Sequence, residues 1–158
     1  MSSSQALKTL LTIKRAAEES AAQLLTRQTA RRAAAEANHL RLEAEARAAR
    51  DDLRQRRAVG ASDGPETAAR ALEREQFWGR LMDVADTRTA RVRAYREGEL
   101  AEAGAEVATA LTAYRVAREA RQVVDRLLEK AHAAERQAQA RRDEVARDDQ
   151  GQHPRWQK

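Results

Sequence analysis

Cysteine is absent from the 158 residues, which removes disulfides, zinc–thiolate clusters and thiol catalysis together and fits a reducing compartment. Aromatic residues make up 3%, with one Phe, two Tyr and two Trp, so bulky core material is scarce. Six Gly and two Pro leave too little turn punctuation for a compact α/β or all-β domain. Long apolar runs are missing as well: Lys14 and Arg15 interrupt the first one, and no window approaches the ~18 residues of a membrane span. The expectation is a soluble cytoplasmic protein without an export signal or direct membrane insertion.

What fills the chain instead is 36 Ala, 26 Arg, 16 Glu, 14 Leu and 4 Lys. These five types far exceed the roughly half of a sequence that marks a long helix or coiled coil. The net charge is +5 and the isoelectric point about 10.2. Arginine alternates with glutamate at short spacing, as in Arg41-Leu-Glu-Ala-Glu-Ala-Arg47, a pattern that belongs first to a solvated helix surface. The length suits one domain.

Only one cluster of helix breakers exists, Val59-Gly-Ala-Ser-Asp-Gly-Pro-Glu66. It predicts a loop over about 58–65, between a first helix over about 5–57 and a second over about 66–149, with a tail over 150–158. Asp63 and Glu66 have capping-box spacing, and Pro65 would sit harmlessly in the first turn.

The second helix carries a seven-residue repeat, Ala103, Ala110, Ala117, Val124, Ala131, Ala138 and Val145, with Leu100, Val107, Tyr114, Ala120, Leu127 and Ala134 as companions. Ahead of Gly98 the row reads Trp78, Leu81, Ala85, Val92 and Tyr95, so the register slips by about one residue there. In the first helix Ala35, Leu42 and Ala49 alternate with His39, Ala46 and Leu53, while Leu7, Leu10, Leu11, Leu24 and Leu25 line its start. Two such helices joined by one short loop predict an all-α fold, a long antiparallel two-helix coiled-coil hairpin whose second helix is the longer.

With the loop centred near residue 62, Leu7 is expected level with Ala117, and the first helix to run out near residue 120. Val124, Leu127 and Leu128 would then lie on an unpaired overhang. A lone alanine-rich helix with an apolar row is only marginally stable in water, which implies an external partner.

Catalytic chemistry has no visible foothold. His39, His132 and His153 share no metal-ligand spacing, and His39 falls on the seam, where a packed histidine is the commoner outcome. No phosphate loop or nucleophile elbow is present, so neither enzyme activity, cofactor nor metal is expected. Arg31-Arg32, Arg56-Arg57 and Arg141-Arg142 could touch phosphate, but stacking aromatics are lacking and acids dilute every stretch. One local feature departs from the alanine landscape, Gln76-Phe-Trp-Gly-Arg-Leu-Met-Asp-Val84. Trp78, Leu81 and Ala85 follow the seam, whereas Phe77, Val84 and Arg88 form a second edge: a wider core or an exposed docking stripe.

Three stretches resemble the type III secretion central-stalk family, the flagellar FliJ and injectisome SctO/YscO proteins. They are the opening Leu7-Lys-Thr-Leu-Leu-Thr-Ile-Lys-Arg-Ala-Ala-Glu-Glu19, the closing helix from Leu127-Leu-Glu-Lys-Ala-His to Arg141-Arg-Asp-Glu144, and Glu75-Gln-Phe77 followed by Leu81. The hairpin layout and longer second helix are similar too.

The resemblance implies that Phe77 and Leu81 lie on the stripe that flagellar members present to the export-gate membrane protein. Val84 and Arg88 occupy the next positions of that stripe, where flagellar members have a small residue and a histidine. It also implies that both termini enter the central hole of a hexameric type III secretion ATPase, with Leu7, Leu10, Leu11, Val124, Leu127 and Leu128 meeting the ring. Such a protein would be cytoplasmic, at the inner-membrane export apparatus, would couple energy to export without an active site of its own, and has room for secretion chaperones as further partners. Departures at the termini and tip favour the injectisome branch. The competing classes are a self-associating coiled-coil scaffold and, with less support, a basic helical nucleic-acid binder.

Overall fold

A computed structural model describes residues 3–60, 65 and 67–152. Helix α1 spans Ser3–Gly60, α2 spans Ala68–Tyr95, a π-turn spans Arg96–Leu100, and α3 spans Ala101–Gln152. The described residues are all-α, in two long helical arms of which the second is the longer.

Local chemistry favours helix throughout. Alanine loses no side-chain entropy, and arginine and glutamate lose little, so propensity alone supports long segments. Pairs such as Arg32–Glu36, Arg41–Glu45, Arg47–Glu43 and Arg56–Asp52 add support from one turn to the next along α1. At the start of α2 the cap is Thr67, whose hydroxyl accepts from the Arg70 amide at 3.5 Å and whose carbonyl accepts from Ala71 N–H at 3.0 Å. Asp63 and Glu66, the expected capping box, lie outside the described residues, and Pro65 precedes the cap instead of entering the first turn.

Contacts divide the chain into two units: a terminal unit, Met1–Leu24 with Leu111–Lys158, and a loop unit, Leu25–Ala110. In each, a stretch of α1 runs antiparallel to a stretch of the second arm.

In the terminal unit, Glu18 meets Arg121, Arg15 meets Asp125, and Ser4 meets His132. In the loop unit, Arg31 meets Glu106, His39 stacks on Tyr95, Arg88 reaches Glu45, and Arg57 reaches Trp78 and Met82. This corrects the register: Ser4 pairs with His132, not with a residue near 120. The breaker cluster alone centres the loop near residue 62, whereas α1 persists to Gly60 and the pairing is set by which side chains interlock. Ala68–Phe77 therefore begins the second arm beyond the Arg57 contacts, exposed except for Ala71.

The seam is thin and made chiefly of small residues. Leu11, Leu42 and Ala46 on α1, with Ala85, Ala103, Ala110 and Val124 on the second arm, are buried. The seven-residue repeat holds through Ala131 and then stops: every side chain from Ala134 to Asp148 is exposed, Val145 included. The slip expected near Gly98 takes the form of the π-turn, whose wider i→i+5 winding takes up the extra residue in the step from Val92 to Leu100.

Candidate partner-binding surfaces

The aromatic stripe sits where α2 meets the end of α1. Phe77 is 43% exposed and Val84 47%, while Leu81 is half-buried. Spacings of four, three and four residues put Phe77, Leu81, Val84 and Arg88 on one face at about 100° per residue. Trp78 turns inward instead, half-buried, with the Arg57 guanidinium 5.9 Å from its ring centroid and Phe77 edge-on at 5.7 Å and 65°. Asp52, Gln55, Arg56, Val59, Phe77 and Trp78 line an open groove of about 480 Å³.

Arg88 is not a free member of this stripe. Its guanidinium donates to the Glu45 carbonyl of α1 at 3.4 Å, which bridges the two helices. Phe77 and Val84 are thus the side chains the stripe leaves open, with Leu81 shared between stripe and seam.

His39 is a seam residue. Its ring stacks on Tyr95 at 6.5 Å and 7°, its Nε2 lies 3.4 Å from Glu43, and its buried Nδ1 has no hydrogen-bond partner among the described residues. Among the described residues no three His, Asp or Glu side chains form a group that could hold a metal. No described helix is long and apolar enough to cross a membrane.

The terminal residues assigned to a ring contact separate into two sets. Leu11 and Val124 are buried, and the expected unpaired position of Val124, Leu127 and Leu128 is corrected: at their level α1 is still present, as the Glu18–Arg121, Arg15–Asp125 and Ser4–His132 contacts show. Leu7 and Leu128 are half-buried, while Leu10 is 38% and Leu127 46% exposed. The Arg121 guanidinium is held above its ordinary pKa first by its hydrogen bond to Glu18, with the Glu18 and Asp125 charges adding to that and desolvation opposing it.

Sequence reasoning missed Ile13, Val116 and Val123, which are exposed aliphatic residues in the same unit. The signal that could have found them is a second apolar row in each helix, off the seven-residue one. Compared with protein-family models, characterised proteins and solved structures, the chain matches none.

Proposed function

We propose that the chain is a central-stalk component of a type III secretion export apparatus, a cytoplasmic, non-catalytic coupling element between a hexameric secretion ATPase and the export-gate membrane protein. The observation that carries the reading is the stripe of Phe77, Leu81 and Val84: large apolar side chains on one helix face, two of them open to solvent, on a helix whose other exposed large apolar residues, Leu72 and Met82, lie off that face. An exposed aromatic beside aliphatic neighbours is the composition of a docking anchor. The sequence resemblance supplies the gate as its partner. In the same reading Leu10 and Leu127, with the half-buried Leu7 and Leu128, offer the ring its apolar contact, and Leu11 and Val124 hold the two helices together beneath them.

The test is a pair of substitutions. Phe77→Ala should leave the melting transition close to that of the parent, yet weaken binding to the cytoplasmic domain of the gate protein by about 2 kcal/mol, and lower secretion with it. Trp78→Ala is the control, because loss of its packing against Arg57 should lower stability first. Unchanged gate binding by Phe77→Ala, or a collapse of its stability, would sink the docking assignment.

A further inference from the structure

The terminal unit has two unlike flanks. Counting round each helix at about 100° per residue, Ser4, Lys8 and Arg15 on α1, and Arg121, Asp125 and His132 on α3, turn off the seam in one sense. Because the helices run antiparallel, side chains turned in the same sense reach the same flank, as the Arg15–Asp125 and Ser4–His132 contacts require.

The opposite sense holds Leu10, Ile13, Ala17 and Leu24 on α1, spaced by three, four and seven residues, and Val116, Ala120, Val123 and Leu127 on α3, spaced by four, three and four. Exposure is 59% at Ile13, 61% at Val116 and 53% at Val123, with Leu10, Leu24 and Leu127 at 38%, 43% and 46%. No charged residue interrupts either row. The charges of α1 in this unit, Lys8, Lys14, Arg15, Glu18 and Glu19, all stand off its apolar row. Two parallel apolar rows on one side of a helix pair form a groove with the dimensions of a third helix, and Leu10 to Leu24 spans about 21 Å at 1.5 Å per residue.

The edges decide what would fill it. Along the outer edge of α3, Arg126 and Lys130 follow Val123 and Leu127 by three residues and are exposed without an ion partner among the described residues, against the single acid Glu119. The outer edge of α1 is neutral, with Thr9, Ala16 and Ser20. A second copy of the chain would bring the same cations and a net charge of +5 against this edge. We infer that this flank docks an amphipathic helix of another protein, apolar on one face and acidic along the edge that lies against Arg126 and Lys130. The inference goes beyond the stalk reading and stands without it.

The probe is a fluorescein-labelled 18-residue helical peptide with a leucine stripe, glutamate along one edge and glutamine along the other, titrated with the full chain by fluorescence anisotropy. Saturable binding is expected, about ten-fold weaker for the same peptide with lysine in place of glutamate and weaker again as salt rises. Val123→Asp and, separately, Leu127→Asp should each weaken it about ten-fold with helicity retained by circular dichroism, both sites being half exposed or nearly so. Lys8→Ala, on the other flank, should change nothing. Equal binding of the glutamate and lysine peptides would overturn the proposal, as would absence of peptide binding. So would a dimer in sedimentation that Val123→Asp dissolves, or adsorption to phosphatidylglycerol vesicles without peptide binding.

Discussion

The terminal and loop units are built from the same alanine-rich repeat, yet different side chains hold them. Around Val124 the helices are joined on one flank by charge: Arg121 bridges Glu18 and Asp125, and Arg15 reaches Asp125 from α1. Around Ala85 the cross-helix contacts are ring and carbonyl contacts, Arg57 over Trp78, His39 on Tyr95 and Arg88 on the Glu45 carbonyl, and the loop unit's cross-helix ion pair, Arg31 with Glu106, lies away from them. Alanine buries too little area to fix a register by itself, so each unit relies on a few larger groups. Where those groups are ionic, the opposite flank is left aliphatic. Where they are aromatic, Phe77 is left on the outside.

The sharpest way to break this comparison is to remove a large seam residue from each unit. Leu42, 5% exposed, and Leu11, 7% exposed, are the two buried leucines among the described residues. Leu42→Ala should lower the stability measured by urea unfolding by about 2–4 kcal/mol, the usual cost of a buried leucine truncation. Leu11→Ala should cost less, because helix ends open locally at low free energy. Equal losses would mean that the units do not differ in how firmly the seam is held, and a Leu42→Ala loss under about 0.5 kcal/mol would deny the seam altogether.

The ionic flank is the next lever. A double-mutant cycle on Glu18→Gln and Arg121→Gln should give a favourable coupling that shrinks as salt rises, while Arg57→Gln with Trp78→Ala should give one nearly independent of salt. Arg121 is raised from its ordinary pKa. Its contribution is present at every pH below the unfolded value and is lost only as strong alkali passes the folded one, so this group adds no pH dependence between pH 5 and 10. A salt-insensitive cycle at Glu18–Arg121 would erase the distinction between the units.

The fold class was legible because one breaker cluster separated two uninterrupted periodic segments, and the seam was legible because it recurs: Leu42 and Ala46, then Ala103, Ala110 and Val124, are all buried as the spacing predicts. The register was not. A seam of small, repeating residues gives little to choose between alignments, so Leu7 level with Ala117 is locally as acceptable as the observed alignment with Ser4 opposite His132. What selects one alignment is long-range and sparse, Glu18 with Arg121 and Arg57 with Trp78, and no local rule announces those pairs. At the candidate sites the Phe77 stripe stood out by composition. The Ile13, Val116 and Val123 flank did not, since its side chains lie between seam positions and are diluted by alanine.

The smallest expected effect separates the continuous part of the second arm from its defect. From Leu111 to Ala131 α3 contains no glycine and keeps the seven-residue repeat, whereas the loop unit has Gly98 in the π-turn and Gly104 just after it. A Cβ built on either glycine meets no atom within 4 Å, and neither residue has a positive φ. Alanine therefore fits both sites without strain. It should stabilise each by about 0.4–1 kcal/mol, mainly by restricting the unfolded chain. Urea midpoints for Gly98→Ala and Gly104→Ala measure this directly. If both rise together, the π-turn is held by the seam on either side of it, because the offset from Val92 to Leu100 must be taken up somewhere. If Gly104→Ala gains while Gly98→Ala loses, the wider winding depends on the glycine itself, and the slip in register is a local property of that turn.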